Sequence, residues 1–409
     1  MSSIATDPFS PGRLGPITIP NRFIKAATFE GMAIDNKMSD AIVDFHEAPA
    51  RGGLGMTTLA YCAVSHDGQG APNEIVMTDD VVDGLRRFTE AMHDLDTLAA
   101  IQLGHAGPVG VGAGGPGLSA SRVFAAQRMK FTQAATAEDI NAVVGEFRHA
   151  AALAVASGFD SIELHFGHGY LVSNFLSPKR NKRDDQWGGS LENRARLARD
   201  IAAEVRDEVA DNVAVTAKIN LSDGVPGGFW VDECVQVARM LEADGAVDAL
   251  ELSGGSSFEN AMYFFRGEPP IHEMAKIFPK ALRPGFRIAS KKMMPFYPFE
   301  EAFFLPYARQ VRDAVDLPLI LIGGITKLDT VHLAMAEGFD FVAMGRTLLR
   351  EPGLINKWRD GDTGQSLCVQ CNKCMPSIYR GTHCLLVDEA DRPGHAYWPP
   401  PRPGSGEIG

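Results

Sequence analysis

A group of histidine and tyrosine side chains stands near the middle of the chain. His165, His168 and Tyr170 lie within six residues of one another. An imidazole can donate or accept a hydrogen bond near neutral pH, and a phenol can supply a proton. A single histidine is usually structural, but three such groups at the end of one strand would share a small volume. This spacing predicts a site that holds an oxygen atom and supplies a proton.

Four of the six cysteines form a second candidate site near the end of the sequence. They fall within 17 residues, as Cys368, Cys371, Cys374 and Cys384. In a reducing compartment such a cluster favours a metal site over disulfide bonds. Four thiolates this close along the chain could hold a structural Zn²⁺ ion.

The elements that must position these side chains alternate along the chain. Short apolar or β-branched runs predict strands at Phe23–Ala27, Gly55–Tyr61, Ala99–Leu103, Ser161–His165, Ala214–Ile219, Ala249–Ser253, Leu319–Ile322 and Phe341–Met344. Longer amphipathic segments predict helices such as Thr136–Ser157, Leu191–Val209, Val231–Asp244 and Leu328–Glu337. This alternation predicts the α/β class and a single closed (β/α)8 TIM barrel, with His165 at the end of the fourth strand.

Two long connections and a C-terminal extension surround this predicted barrel. We expect residues 1–360 to form the barrel and residues 361–409 to form a cysteine-rich extension with a proline-rich tail. The connections Pro108–Gln133 and Gly255–Pro298 both follow strand ends. Loops of this length are usually functional, and in a barrel the loops after the strands form the active-site face. They are therefore predicted walls and lids of the site.

Composition and charge restrict the class of partner. Of the 409 residues, 45% are hydrophobic and 22% are charged, as in ordinary globular proteins. The formal net charge of -12 argues against general binding to nucleic acid or anionic membranes. The sequence has neither an 18-residue apolar run nor a signal-like N-terminus, so we expect a cytosolic protein. A small-molecule substrate is the expected partner, and a homo-oligomer remains one option.

The segment from His165 to Arg194 resembles the old yellow enzyme family, the NADH:flavin oxidoreductases. It matches the family's motif of histidine, two residues, His or Asn and Gly-Tyr-Leu, followed by Phe-Leu-Ser-Pro and Gly-Gly-Ser-x-Glu-Asn-Arg. The resemblance covers roughly Phe9 to Glu351 and includes Gly15–Pro16, Pro20–Arg22, Gln102–Gly107, Gly323–Ile325 and Gly345–Arg346. It implies bound FMN and a two-step reaction, in which NAD(P)H reduces the flavin and an α,β-unsaturated carbonyl compound reoxidises it.

The resemblance also implies roles for the histidines and the tyrosine. His165 and His168 would hydrogen-bond the substrate carbonyl, and Tyr170 would protonate the α carbon while hydride reaches the β carbon. Donors aimed at an oxygen that gains negative charge stabilise the enolate-like state, and a nearby phenol can quench it. The chain would then be an FMN-dependent ene-reductase.

The flavin contacts are implied by the same resemblance. Gln102 would pair with the pyrimidine edge, and Lys218 would lie near N1 and O2, where a cation favours the anionic reduced flavin. The alternative for Lys218 is an ion pair with Asp223 at the rim. The remaining expected contacts are Ala27 and Thr28 against the ring, and Gly323, Gly324, Gly345 and Arg346 at the phosphate, where glycine allows close backbone approach and arginine adds a charged donor.

Two departures from the family pattern affect these expectations. Phe29 stands where the family often has Thr or Cys against the flavin C4 oxygen, so Thr28 would have to supply that hydrogen bond. Pro108 stands where an arginine often follows the Gln102 motif. Both residues stand where the family often has a different side chain near the flavin. With Phe29 at its position, the redox potential of the flavin is not predictable from the sequence.

The cysteine cluster resembles the iron–sulfur motif of the 2,4-dienoyl-CoA reductase and trimethylamine dehydrogenase branch, although its second and third gaps are tighter. The resemblance implies an iron–sulfur cluster, and a structural Zn²⁺ ion and a relic motif without a metal are the two alternatives. That branch offers an alternative function, an FMN-dependent amine or C–H dehydrogenase that passes electrons through a Cys-ligated cluster. The pair of histidines favours the ene-reductase, because imidazoles suit a carbonyl oxygen better than a cationic amine.

Overall fold

The computed structural model describes residues 6–111, 114–125 and 128–393. Its central element is a closed parallel barrel, since the first strand pairs with both the second and the last. The predicted (β/α)8 barrel is confirmed, and every predicted strand is found within two residues of its observed bounds. The barrel strands are β1 (Phe23–Lys25), β2 (Met56–Ala63), β3 (Leu98–Gly104), β4 (Ser161–His165), β5 (Ala214–Asn220), β6 (Ala249–Ser253), β7 (Leu319–Ile322) and β8 (Phe341–Met344).

Helices cover the outside of the barrel and extend its upper face. They are α1 (Asp40–Arg51), α2 (Val82–His93), α3 (Ala137–Ala156), α4 (Leu171–Leu176), α5 (Leu191–Val209), α6 (Val231–Asp244), α7 (Met262–Phe265), α8 (Ile271–Ile277), α9 (Arg283–Met293), α10 (Leu305–Arg312), α11 (Leu328–Ala336), α12 (Arg346–Arg350) and α13 (Leu354–Arg359). Local signals explain the well-predicted ends: Thr136 and Asp139 form a capping box at the start of α3, and Gly245 adopts the left-handed conformation after α6.

The lower end of the barrel is filled by apolar side chains. A hairpin of two short strands, Gly12–Leu14 and Ile17–Ile19, contributes the fully buried Leu14 and Ile19. These two side chains belong to one cluster with Ile24, Phe341 and small residues of the barrel interior. The hairpin therefore closes this end, and the strand ends that carry the candidate site face the other way.

The predicted loop Gly255–Pro298, called the lid below, is largely helical. It contains α7, α8 and α9. The other long connection carries a short hairpin in which Phe124–Ala125 pairs with Lys130–Phe131. Both segments lie after strand ends, as walls of the active-site face should.

The cysteine segment, residues 361–393, packs on the barrel with only short 3-10 turns. Thr382 joins it to the loop after β1, because its backbone N–H donates to the Glu30 carbonyl at 2.7 Å and its hydroxyl donates to the Phe29 carbonyl. A domain boundary near residue 360 stays a prediction, and most of the proline-rich tail lies outside the described residues. Within the part of the chain described, no helix is long and apolar enough to cross a membrane.

Candidate active site

His165, His168 and Tyr170 meet at the upper end of β4. The ring centroids of the two histidines are 4.9 Å apart, and those of His165 and Tyr170 are 5.0 Å apart, both in edge contact. His165 is buried, and the other two residues are half-buried. The structure thus brings together the three side chains that their spacing predicted to share one volume.

The backbone after β4 turns sharply to place His168. This residue has a φ of 61° and is followed by Gly169 at 80°, a left-handed stretch that few side chains tolerate. The His168 backbone N–H donates to Asn220 Oδ1 at 3.0 Å, and its Nε2 lies 2.8 Å from Ser253 Oγ. The ring of Phe264, from the lid, stacks on His168 at 4.9 Å. Strands β5 and β6 and the lid together fix the imidazole.

Both imidazoles are uncharged near neutral pH. Burial holds the pKa of His165 well below its usual range, with further lowering by His168 and Lys218. Burial likewise lowers the pKa of His168 to about 3, assisted by Lys218. Neutral imidazoles can donate hydrogen bonds to a carbonyl oxygen without presenting a positive charge.

Two further aromatic residues belong to this site and were not predicted from the sequence. The Tyr61 ring lies 5.6 Å from that of Tyr170 and 6.2 Å from that of His165, and its hydroxyl donates to the Gly68 carbonyl at 3.3 Å. Phe258, from the lid, lies 5.3 Å from Tyr170. For Tyr61 a signal existed, because it ends the predicted second strand and a barrel directs strand ends into the site.

Lys218 is paired inside the barrel, not at the rim. Its Nζ lies 2.9 Å from an oxygen of Glu163 and 2.9 Å from one of Glu251. The alternative that pairs Lys218 with Asp223 is wrong, since Asp223 instead accepts hydrogen bonds from Asn220 and from the Phe229 backbone. Both glutamates lie on strands next to β5, which the register of the sheet determines and the sequence alone does not.

Gln102 joins the same buried polar group. Its side-chain amide donates to Glu163 Oε1 at 2.6 Å, which fixes the orientation of the carboxamide. The carboxamide oxygen therefore points away from Glu163. This orientation is compatible with accepting a hydrogen bond from the N3–H of a flavin pyrimidine.

The segment after β1 offers apolar contacts and one hydroxyl, which already donates a hydrogen bond within the segment. Ala27 and Phe29 pack against the cluster that contains Ala60 and Tyr61. The Thr28 hydroxyl donates to the carbonyl of Ala26 at 3.0 Å. Phe29 stands where the family often has a Thr or Cys that donates to the flavin C4 oxygen. For Thr28 to make this bond instead, its hydroxyl would have to give up the bond to Ala26.

The predicted phosphate contacts lie after β7 and β8. Gly323 and Gly324 have φ values of 103° and 76°, which only glycine adopts readily. Arg346 donates to the side-chain carbonyl of Asn372, from the cysteine segment, and its guanidinium lies 5.5 Å from the centre of the Phe265 ring. Among the described residues no carboxylate pairs with this guanidinium, so its charge is available to an anion.

These residues fit FMN. An uncompensated guanidinium beside two glycine turns suits a phosphate, and the oriented carboxamide of Gln102 with the ammonium of Lys218 suits the polar edge of the ring. Gly345 adds room, since a Cβ placed there would meet nothing closer than the Thr28 hydroxyl at 3.7 Å. When bound, FMN would supply the hydride chemistry that none of these side chains can perform.

The four cysteines line one cavity together with Arg346. In the part of the chain described, the one set of three candidate ligand atoms within 4.8 Å of one another belongs to Asp67, His105 and Glu146, so no three cysteine sulfurs are that close. That other set does not suit a cation. His105 Nδ1 accepts from the Gly107 N–H at 3.0 Å, which leaves the proton on Nε2, 3.6 Å from Asp67.

Comparisons with known proteins agree with this geometry. Residues 7–256 match the family described as NADH:flavin oxidoreductase / NADH oxidase. The chain is 49% identical over 393 residues to a 4,4'-dithiodibutanoate disulfide reductase of Rhodococcus erythropolis, covering 94% of this chain and 98% of that one. It is 29% identical over 372 residues to an NADH oxidase of Thermoanaerobacter brockii, covering 89% of this chain and 52% of that one.

Solved structures show the same fold. Morphinone reductase covers 100% of both chains with a TM-score of 0.72 and 21% identity. A 2-naphthoyl-CoA reductase has a TM-score of 0.79 and 22% identity, covering 96% of this chain and 58% of that one. The family match supports FMN and a nicotinamide cofactor. The chain belongs to the NADH:flavin oxidoreductase / NADH oxidase family and is an NAD(P)H-dependent flavin oxidoreductase of the old yellow enzyme type.

Proposed function

We propose that this oxidoreductase reduces the C=C bond of α,β-unsaturated carbonyl compounds. The observation that carries the proposal is the contact of the uncharged His165 ring with both the uncharged His168 ring and the Tyr170 phenol at the end of β4. An activated alkene needs hydrogen-bond donors at its oxygen and a proton donor at its α carbon, and this group offers both. FMN, held by residues such as Gln102, Lys218 and Arg346, would supply the hydride chemistry when bound.

The side chains divide this work. His165 and His168 bind the carbonyl oxygen and withdraw electron density from the alkene. Ser253 can donate to His168 Nε2, which keeps the His168 proton on Nδ1, where it can be donated. Tyr170 transfers its proton to the α carbon. Phe258 and Phe264 cover the tyrosine and His168 from the lid and limit access of water.

The experiment separates the two half-reactions. The FMN-loaded enzyme is reduced with NADH or NADPH under anaerobic conditions and then mixed with cyclohexenone or maleimide. Reoxidation of the flavin with formation of the saturated product supports the proposal. Amines are tested in parallel as reductants, because reduction of the flavin by an amine would favour the alternative dehydrogenase.

A second candidate function is reduction of a small organic disulfide. The R. erythropolis relative, at 49% identity over nearly the whole chain, favours it. In this reaction two electrons break the S–S bond and two protons complete two thiols. A thiolate is a stable leaving group near neutral pH, since the pKa of a free thiol is only ~8.5. Tyr170 would therefore matter less for a disulfide than for an alkene.

Reoxidation of the reduced enzyme distinguishes the two candidates. Equal concentrations of cyclohexenone and 4,4'-dithiodibutanoate are compared for the wild type and for Tyr170→Phe. The ene-reductase proposal predicts that cyclohexenone reoxidises the wild type and that the variant loses this reaction selectively. Reoxidation by the disulfide alone would replace the first proposal with the second.

We also infer that Cys368, Cys371, Cys374 and Cys384 hold an iron–sulfur cluster. The four side chains share one cavity, and no three of their sulfurs lie within 4.8 Å of one another. A single Zn²⁺ ion, with Zn–S bonds of about 2.3 Å, would draw all four sulfurs closer than that. A cluster binds each cysteine through a different iron and keeps the sulfurs further apart.

Metal analysis tests this inference. Protein prepared anaerobically should contain about four irons and matching sulfide per chain, and Cys371→Ser should lower the iron content. The variant Cys234→Ser is the matched control, because Cys234 is a buried residue of α6 and should not affect iron. One zinc per chain, or neither metal, would contradict the inference.

A further inference from the structure

A buried group of one lysine and two glutamates lies in the barrel below the histidines. Glu163 on β4, Lys218 on β5 and Glu251 on β6 are 3%, 1% and 1% exposed. Lys218 is level with His165 on one side and with Glu251 on the other. Strand β7 presents only Ile320 opposite Glu251. The charges of this group must therefore balance within it.

The two carboxyl groups are not equivalent. Glu163 Oε1 accepts from Gln102 at 2.6 Å and from Lys218 at 2.9 Å. Glu251 Oε1 lies 2.9 Å from the same Lys218 Nζ but makes no aligned hydrogen bond. Glu163 is therefore the better-stabilised carboxylate, and Glu251 is the one that retains a proton.

The charge count leads to the same assignment. With both glutamates ionised the group carries one net negative charge in a dry interior, which is costly. With Glu251 protonated the group is neutral. Burial, together with the neighbouring Glu163, raises the pKa of Glu251 to about 8. Lys25 on β1 also repels Lys218, and it is itself attracted by the buried Glu30.

We propose that Glu251 carries a proton whenever FMN bound beside Lys218 is reduced, so that in alkaline solution, where Glu251 is ionised in the oxidised enzyme, it takes up a proton on reduction and releases it on reoxidation. The proposal rests on the proposed function only in that FMN occupies this site. Hydride from NAD(P)H brings two electrons and one proton to the flavin and leaves one negative charge on it. An ionised Glu251 then binds a proton from solvent, so that the buried negative charges do not accumulate next to the reduced flavin.

The expectation is specific about pH. Below pH 8, Glu251 is already protonated before reduction, and two electrons bring one proton. Above pH 8, Glu251 is ionised in the oxidised enzyme, and reduction brings a second proton. A plot of flavin midpoint potential against pH should therefore become steeper near pH 8. The positive charge expected from the sequence at Lys218 is thus balanced by the Glu163 carboxylate when Glu251 is protonated.

The first measurement is this plot for the wild type, Glu251→Gln and Glu251→Asp between pH 6 and 10. Glu251→Gln should lose the change of slope, and Glu251→Asp should retain it at a shifted pH. Glu74→Gln is the matched control, because Glu74 is also buried but lies in the loop after β2. The proposal is wrong if Glu251→Gln follows the wild-type curve throughout.

The second measurement does not require the flavin. Infrared spectra of the flavin-free chain, wild type minus Glu251→Gln, should show a carboxylic acid C=O band at pH 7 that disappears as the pH passes about 8. Absence of this band at pH 7 would show that Glu251 is not protonated and would overturn the proposal. A colourless chain that cannot bind FMN would instead contradict the proposed function, and the infrared titration would still decide on Glu251.

Discussion

At the scale of single residues, the two histidines act without charge. Because burial keeps the pKa of both rings below the usual value, lowering the pH from 8 to 5.5 should protonate neither. We therefore expect the rate of flavin reoxidation by cyclohexenone to show no step near pH 6.5, the ordinary pKa of histidine. Stopped-flow measurements across this range test it. A step that disappears in His168→Asn would show that the imidazole does titrate there.

Tyr170 is expected to act in one half-reaction only. Reduction of the flavin by NAD(P)H needs no proton at a substrate carbon, so Tyr170→Phe should leave it nearly unchanged. Reduction of the alkene should slow by ~10² to ~10⁴, the usual contribution of a positioned general acid. Tyr61→Phe is the matched control, since this second phenol touches Tyr170 but bonds the Gly68 carbonyl. Equal slowing of both half-reactions in Tyr170→Phe would show that Tyr170 is not the proton donor to the α carbon.

At the scale of elements, apolar runs were sufficient to predict the barrel. Strands such as Leu319–Ile322 are buried on both faces, so composition alone marks them. The lid was less predictable, because its short helices are held by contacts from elsewhere and lack a long apolar period. The partners of Lys218 could not be predicted from the sequence either, since they depend on the register of β4, β5 and β6.

The cysteine segment acts on the predicted phosphate site through one side chain. Asn372 accepts from Arg346 and donates to the carbonyls of Arg266 at 2.7 Å and Glu268 at 3.1 Å, both in the lid. Asn372→Ala removes the acceptor of a charged donor, a bond of about 1.5–3 kcal/mol, so FMN should bind at least ~10-fold more weakly. Fluorescence titration of the flavin-free chain with FMN measures this.

Asn372→Asp tests whether the charge of Arg346 matters. The new carboxylate would pair with the guanidinium and cancel the charge available to the phosphate, and it could no longer donate to the lid, so FMN should bind more weakly than to Asn372→Ala. Wild-type FMN affinity in Asn372→Asp would show that the charge of Arg346 does not contribute to binding.

At the scale of the whole molecule, buried carboxyl groups link stability to pH. Burial raises the pKa of Glu74 from 4.5 to about 8. Between these values the folded chain holds a proton that the unfolded chain has released, so this group makes the fold less stable as the pH rises. Glu74→Gln should therefore gain stability relative to the wild type by up to about 1.4 kcal/mol per pH unit from pH 5.5 to 7.5.

Urea unfolding at several pH values measures that difference. Glu138→Gln, at an exposed position in the first turn of α3, should show no such trend. A constant difference between Glu74→Gln and the wild type would show that Glu74 ionises equally in both states.

The candidate site was predictable where it is local in sequence. His165, His168 and Tyr170 are close along the chain, and their spacing places them at one strand end. Tyr61, Phe264 and Asn372 come from three distant segments, and only the closure of the barrel brings the first two to the histidines and the third to Arg346. Long-range contacts of this kind leave no trace in local composition.

The hairpin that fills the lower end of the barrel has a kinetic consequence. Because Leu14 and Ile19 close that end, we expect NAD(P)H and the oxidant to use the same mouth of the barrel, so that one leaves before the other binds. Steady-state reciprocal plots at several oxidant concentrations should therefore be parallel, and an excess of either reactant should inhibit by occupying the enzyme form that belongs to the other. Intersecting lines would mean that both reactants are bound at once.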